Sequence, residues 1–146
     1  MKANEWTPTT RKVFFGIATA VLILSLLSCA TKATFLTSNV VPAARGSVSV
    51  KDDKNNNYVI KVKVANLAES ERLQQASSTY VVWMETEENT VRNLGAMRSS
   101  TGFMSKSLTA SFQTVTSIKP TKIFVTAENN AATQYPSEAV LSTDRF

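Results

Sequence analysis

The sequence predicts an all-β protein: an antiparallel, immunoglobulin-like β-sandwich of about six to eight short strands, preceded by an N-terminal hydrophobic helix. Three observations predict it. Hydrophobic alternation at period two recurs along the second two thirds of the chain. Clusters of Asn, Asp, Ser, Thr, Gly and Pro separate the alternating runs. Strands never alternate with long amphipathic helices, as an α/β fold would require.

The elements follow in chain order. Gly46 opens the series, and Ser47 to Lys51 (SVSVK) alternates. Asp52 to Asn57 (DDKNNN) reads as a turn, because Asn and Asp tolerate left-handed backbone and bond their own main chain. In Tyr58 to Val64 (YVIKVKV), Tyr58, Ile60, Val62 and Val64 point one way and Lys61 and Lys63 the other, so one face is buried and one wet. Ala65 to Ser78 is polar, with room for one helical turn around Glu69 to Gln74 or for a loop crossing between sheets. Thr79 to Thr86 (TYVVWMET) is continuously apolar and suits a central strand. After the turn Glu87 to Thr90, Val91 to Met97 returns as its partner, with Gly95 as a bulge. Arg98 to Gly102 reads as a turn, Phe103 to Phe112 as a strand with Leu108, Ala110 and Phe112 on one face, and Thr114 to Thr121 as a loop. Lys122 to Ala127 and Ala139 to Ser142 complete the set, around the polar loop Glu128 to Pro136.

Ahead of these runs lies a different kind of segment. Met1 to Lys12 is polar and ends in Arg11-Lys12, and Val13 to Leu27 is almost purely apolar and uncharged. A basic start, an apolar run and small residues are the order of a secretory signal, and the basic end holds the start of the chain in the cytoplasm. Leu26, Leu27, Ser28 and Cys29 resemble the lipobox of bacterial lipoproteins. That resemblance implies a lipid on the Cys29 thiol and cleavage before it. Acylation would also remove a free thiol that an oxidising compartment makes a liability. The competing readings are a retained membrane helix and a buried core helix. The expected organisation is a signal peptide or retained anchor over residues 1–28, a flexible tether rich in Thr, Ala and Ser over 29–45, and a sandwich over 46–146. The expected location is the outer side of a cell membrane, in the periplasm or at the cell surface, with membrane lipid as the partner through Cys29.

Composition excludes several chemistries. The 146 residues hold one Cys and no His, which rules out an internal disulfide, a Ser-His-Asp triad and histidine metal sites. No nucleophile motif or phosphate loop is present, so neither an enzyme nor a cofactor is expected. Net charge is +5, and Lys51, Lys54, Lys61 and Lys63 form the densest basic stretch after the cysteine, with Asp52 and Asp53 inside it. It reads as a solvated strand edge guarded by lysines and not as a nucleic-acid site, which needs stacking aromatics. Glu85, Glu87 and Glu88 with Asp52 and Asp53 read as solvated turns, since calcium needs six or more converging oxygens.

Several short motifs share one order: Tyr80 to Trp83 (YVVW), Leu94-Gly95, Val125 to Glu128 (VTAE), then Pro136 before Ala139 to Leu141. In that order they resemble the C-terminal, extracytoplasmic domain of anti-sigma-K factors, over roughly Gly46 to Thr143. The resemblance implies a β-sandwich that senses or binds outside the membrane. It gives Tyr80, Trp83, Leu94, Gly95, Thr126, Glu128 and Pro136 structural roles. The family's sigma-binding domain has no counterpart in these residues, and asparagines stand where a glycine-rich tip would follow the glutamate. Direct sigma-factor binding is therefore not expected, and an envelope protein is the expected partner, either of a lipid-anchored interaction module or of a sensor acting through it. Trp83 reads as core, and Tyr80 falls on the opposite face of the same strand. A carbohydrate-binding module would need one of these two exposed. Glu128 faces the loop holding Tyr135 and is positioned to bond backbone amides there.

Overall fold

The computed structural model describes residues 30–73, 78–101 and 107–146; the expected signal helix, with Leu26, Leu27, Ser28 and Cys29, lies outside them. The described residues form nine strands: β1 (Ala30–Thr34), β2 (Arg45–Asp52), β3 (Tyr58–Leu67), β4 (Thr79–Thr86), β5 (Val91–Ala96), β6 (Arg98–Thr101), β7 (Leu108–Thr116), β8 (Pro120–Glu128) and β9 (Ala139–Ser142). A single 3-10 turn, Ser70–Arg72, lies between β3 and β4. Two antiparallel sheets result, with orders β1-β2-β3-β7-β6 and β5-β4-β8-β9. Without β1, these orders are the two sheets of an immunoglobulin-like sandwich, and β1 extends the first sheet at its edge.

The core follows from the alternation. Val48, Val50, Ile60, Val62 and Val64 from the first sheet meet Tyr80, Val82, Met84, Ile123, Val125 and Leu141 from the second. Each is at most 7% exposed. Burial on this scale is the main favourable term in folding.

Three expectations need correction. The stretch 29–45 is not a flexible tether over its described length. Ala30–Thr34 pairs residue by residue with β2, from Ala30 opposite Lys51 to Thr34 opposite Ser47. The following loop is then stitched down: Phe35 bridges to Thr143, and Leu36 donates its amide to the Ser142 carbonyl, carrying the chain from one sheet to the other. The buried Ser38 hydroxyl donates to the Val140 carbonyl and accepts the amides of Val40 and Val41. An ATKAT strand carries almost no hydrophobic signal, because its partner supplies the ladder and little of it is buried.

The second correction is β6. Arg98–Thr101 is a strand paired with β7, not a turn. The third is β7, which runs on to Thr116, while β8 already begins at Pro120. Thr116 and Pro120 therefore bracket a connection much shorter than the expected loop.

Turn chemistry fixes the registers. Asn56 in the β2–β3 turn has φ of 57°, and the Asp53 carboxylate accepts the amides of Asn55 and Asn57 at 2.7 and 2.9 Å. These two amides hold the Asp53 carboxyl below the usual carboxylate range. On β5, Val82 opposes Gly95 while Trp83 opposes Asn93, so Leu94 is the extra residue of a bulge. Gly95 sits at φ of 127°, and a β-carbon there would lie 3.4 Å from the Phe112 ring. Only glycine takes that backbone without strain.

Candidate functional site

Three of the motif residues, Trp83, Thr126 and Glu128, come together on the face of the second sheet that points away from the core. Trp83 is fully buried there, although Tyr80, Val82 and Met84 of the same strand face the core. Phe124, opposite it on β8, stacks on its ring at a centroid distance of 6.2 Å. The indole N–H donates to Thr126 Oγ1 at 2.8 Å, and the Thr126 hydroxyl donates to Glu128 Oε1 at 2.6 Å. Glu128 then accepts the Ser137 amide at 2.8 Å and the Ser137 hydroxyl at 2.9 Å. Pro136, immediately before Ser137, has its φ fixed by its ring.

This chain of bonds ties the β8–β9 loop back onto the sheet. Asn93, the register partner of Trp83, donates from its side-chain amide to the carbonyls of Ala131 and Thr133. Ser78 holds the base of the loop through the Glu128 and Asn129 carbonyls. Among the described residues no buried side-chain polar atom is left without a partner, so the cluster is a built-in closure of the sheet and not an open site.

Tyr80 is also buried, at 4% exposure, with its hydroxyl donating to the Ala68 carbonyl at 2.9 Å. Burial pushes its phenol up to about 12. With Trp83 and Tyr80 both covered, the strand offers no aromatic platform. Leu94 is half-buried and packs against the core cluster. Among the described residues, the large exposed aromatic outside the sheets is Tyr135, 81% exposed at the loop tip. Among the described residues, no group of three His, Cys, Asp or Glu side chains converges on a metal position.

The surface that can act chemically is the outward face of the five-stranded sheet. Cross-strand register aligns Thr34, Ser47, Lys63, Ser111 and Arg98 in one row. The next row carries Lys32, Ser49, Lys61 and Gln113, and Arg45 and Lys51 stand at opposite ends of β2. Six cations therefore share this face: Lys32, Arg45, Lys51, Lys61, Lys63 and Arg98, all exposed. None is among the ion pairs of the described residues, and no carboxylate shares the face. Serine, threonine and glutamine side chains fill most of the space between them. A shallow groove of about 490 Å³ crosses it, lined by Arg45, Lys63, Arg98, Ser100 and Ser111 among others.

Here the expected strand edge is overturned. Lys51, Lys61 and Lys63 lie on β2 and β3, which are interior strands, so they do not guard an edge. Lys54 belongs to the adjacent turn. The sequence reading missed Lys32, Arg45 and Arg98, because only the sheet order brings them beside the lysines. The charge excess of the chain resides here: ten cations against eleven carboxylates remain elsewhere. The second sheet shows the opposite pattern, with Glu85 paired to Arg145 and Glu87 to Lys119. Cationic groups interleaved with hydroxyls bind anions.

Comparison with protein-family models, with curated proteins and with solved structures finds no match to this chain.

Proposed function

We propose that this chain is a lipid-anchored, extracytoplasmic and non-enzymatic interaction module that engages an anionic partner through the outward face of its five-stranded sheet. The observation that carries the reading is the concentration of six exposed cations, without a carboxylate, on one sheet face. Export and anchoring are supported by the sequence: a basic start, an uninterrupted apolar run, and Cys29 after Leu26-Leu27-Ser28. Acyl chains on Cys29 would anchor firmly, since each buried methylene contributes about 0.8 kcal/mol. The non-enzymatic part is supported by the absence of histidine from the chain and by the hydrogen-bonded saturation of Glu128 and Thr126.

Mass spectrometry of the mature N-terminus tests the anchor. The expected result is an acylated Cys29 as the first residue, and loss of membrane fractionation in Cys29→Ala. An intact Met1 with unchanged fractionation would refute it.

A second reading is favoured by the motif order shared with the outer domain of anti-sigma-K factors. In it, the module is the sensory part of an envelope-stress pathway and acts through a partner chain that supplies the cytoplasmic component. Crosslinking in intact cells followed by pull-down would capture an inner-membrane protein; recovery of none would remove this reading.

A further inference from the structure

We propose that the outward face of the five-stranded sheet lies flat against the anionic headgroups of the membrane that carries the anchor. This deepens the reading above and rests on it for one point only, that a membrane lies beside Ala30.

The first argument is the absence of slack. β1 begins at Ala30, one residue after Cys29, and Ala30 is already paired with Lys51. One residue spans at most about 3.6 Å. The start of this edge strand is therefore held at the level of the headgroups. Surface potential decays over a Debye length, about 8 Å at physiological salt. A domain on a long tether would leave that zone, whereas this one cannot.

The second argument is the composition of the face. Six cations without a carboxylate match a negative surface, each contributing about fivefold to the ratio of apposed to free domain. The register row that starts at Ala30 continues through Lys51, Val59 and Val115, and Val115 is 54% exposed. Apolar side chains beside lysines at the anchored end are what an interfacial surface presents. Among the described residues no aromatic side chain shares this face, which leaves single-stranded nucleic acid without a stacking partner there. The other sheet cannot substitute, because the β8–β9 loop folds over its outer face and the carboxylates Glu85 and Glu128 stand on its strands.

The test uses the full chain added to preformed vesicles, of phosphatidylcholine alone or of phosphatidylcholine with phosphatidylglycerol. A fluorophore is placed at Ser111→Cys, in the middle of the face, or at Gln134→Cys, on the loop across the molecule, and its access to acrylamide is measured. The expected result is protection of the Ser111 position on the anionic vesicles only, with the Gln134 position open on both. Replacing Lys61, Lys63 and Arg98 by glutamine should lower the apposed-to-free ratio roughly a hundredfold and abolish the protection. All three side chains are exposed, so folding is not at stake, and circular dichroism confirms it.

Equal access at Ser111 on the two vesicle types would overturn the proposal. So would protection by soluble polyphosphate where anionic vesicles give none, which would assign the face to a soluble polyanion. An unacylated Cys29 in the mass spectrum would overturn the lipid anchor alone; the vesicle comparison would still decide the orientation, because a retained apolar anchor ends at the same place.

Discussion

Thr126→Val is the sharpest probe of the cluster behind the second sheet. The substitution preserves side-chain shape and removes one hydroxyl, which accepts the Trp83 indole N–H at 2.8 Å and donates to Glu128 at 2.6 Å. Trp83 and Thr126 are both fully buried, so no water replaces the lost partner. An orphaned buried donor costs about 1–3 kcal/mol, and a hydrogen bond to a charged acceptor contributes about 1.5–3 kcal/mol. Offset by the added methyl, worth about 0.8 kcal/mol, the net loss should be about 2–5 kcal/mol. The assay is urea unfolding of the detergent-solubilised chain followed by circular dichroism. With a slope of about 1–3 kcal/mol per molar urea, the midpoint should fall by roughly 1 M or more. A double-mutant cycle with Trp83→Phe isolates the bond. Once the indole is gone there is no donor to orphan, so the double variant should be less destabilised than the sum by about 1 kcal/mol or more. A cost for Thr126→Val below about 0.5 kcal/mol, or additivity within that margin, would refute the reasoning.

Other outcomes are expected from the same structure. Glu128→Ala should free the β8–β9 loop by removing the acceptor of the Ser137 amide and hydroxyl, and a red-shifted, more quenchable Trp83 emission would report it. Gly46→Ala should cost about 1–3 kcal/mol, because a β-carbon there meets the Lys63 carbonyl at 2.6 Å and the Phe35 ring at 2.9 Å; a thermal melt unchanged from the parent would contradict the close approach. Tyr80 ionises near 12 in the folded chain against 10 unfolded, so its contribution is complete below pH 10 and fades between pH 10 and 12. That shift corresponds to about 2–3 kcal/mol. Tyr80→Phe should therefore remove a late phenolate absorbance step and flatten stability over that window.

The legibility of the fold differs from strand to strand for a physical reason. β3, β4, β8 and β9 bury side chains, and burial is what writes alternation into a sequence. β1 and β6, read as ATKAT and RSST, are sheet edges built from small and polar residues. Their stability comes from backbone pairing, which leaves no trace in side-chain type. Trp83 shows a related limit. Its hydrophobic neighbours mark the strand as central, but burial on the side away from the core depends on the β8–β9 loop, far later in the chain. The basic face was half visible: Lys61 and Lys63 already alternate with valines, while Lys32, Arg45 and Arg98 join them only through sheet order. Cys29 belongs wholly to the sequence, where its place after the apolar run is the informative feature.

The order of strands also dictates when this protein can become itself. The central ladders pair Val62 with Phe112 and Val82 with Val125, partners far apart in the sequence. Closing such long loops is slow: the five-stranded sheet waits for β7, Leu108–Thr116, and the four-stranded sheet for β8, Pro120–Glu128. A chain threaded through a translocation pore from its N-terminus would stay unfolded for almost the whole passage. Late structure formation of this kind keeps a polypeptide thin enough to cross, and postpones maturation until the last stretch has emerged.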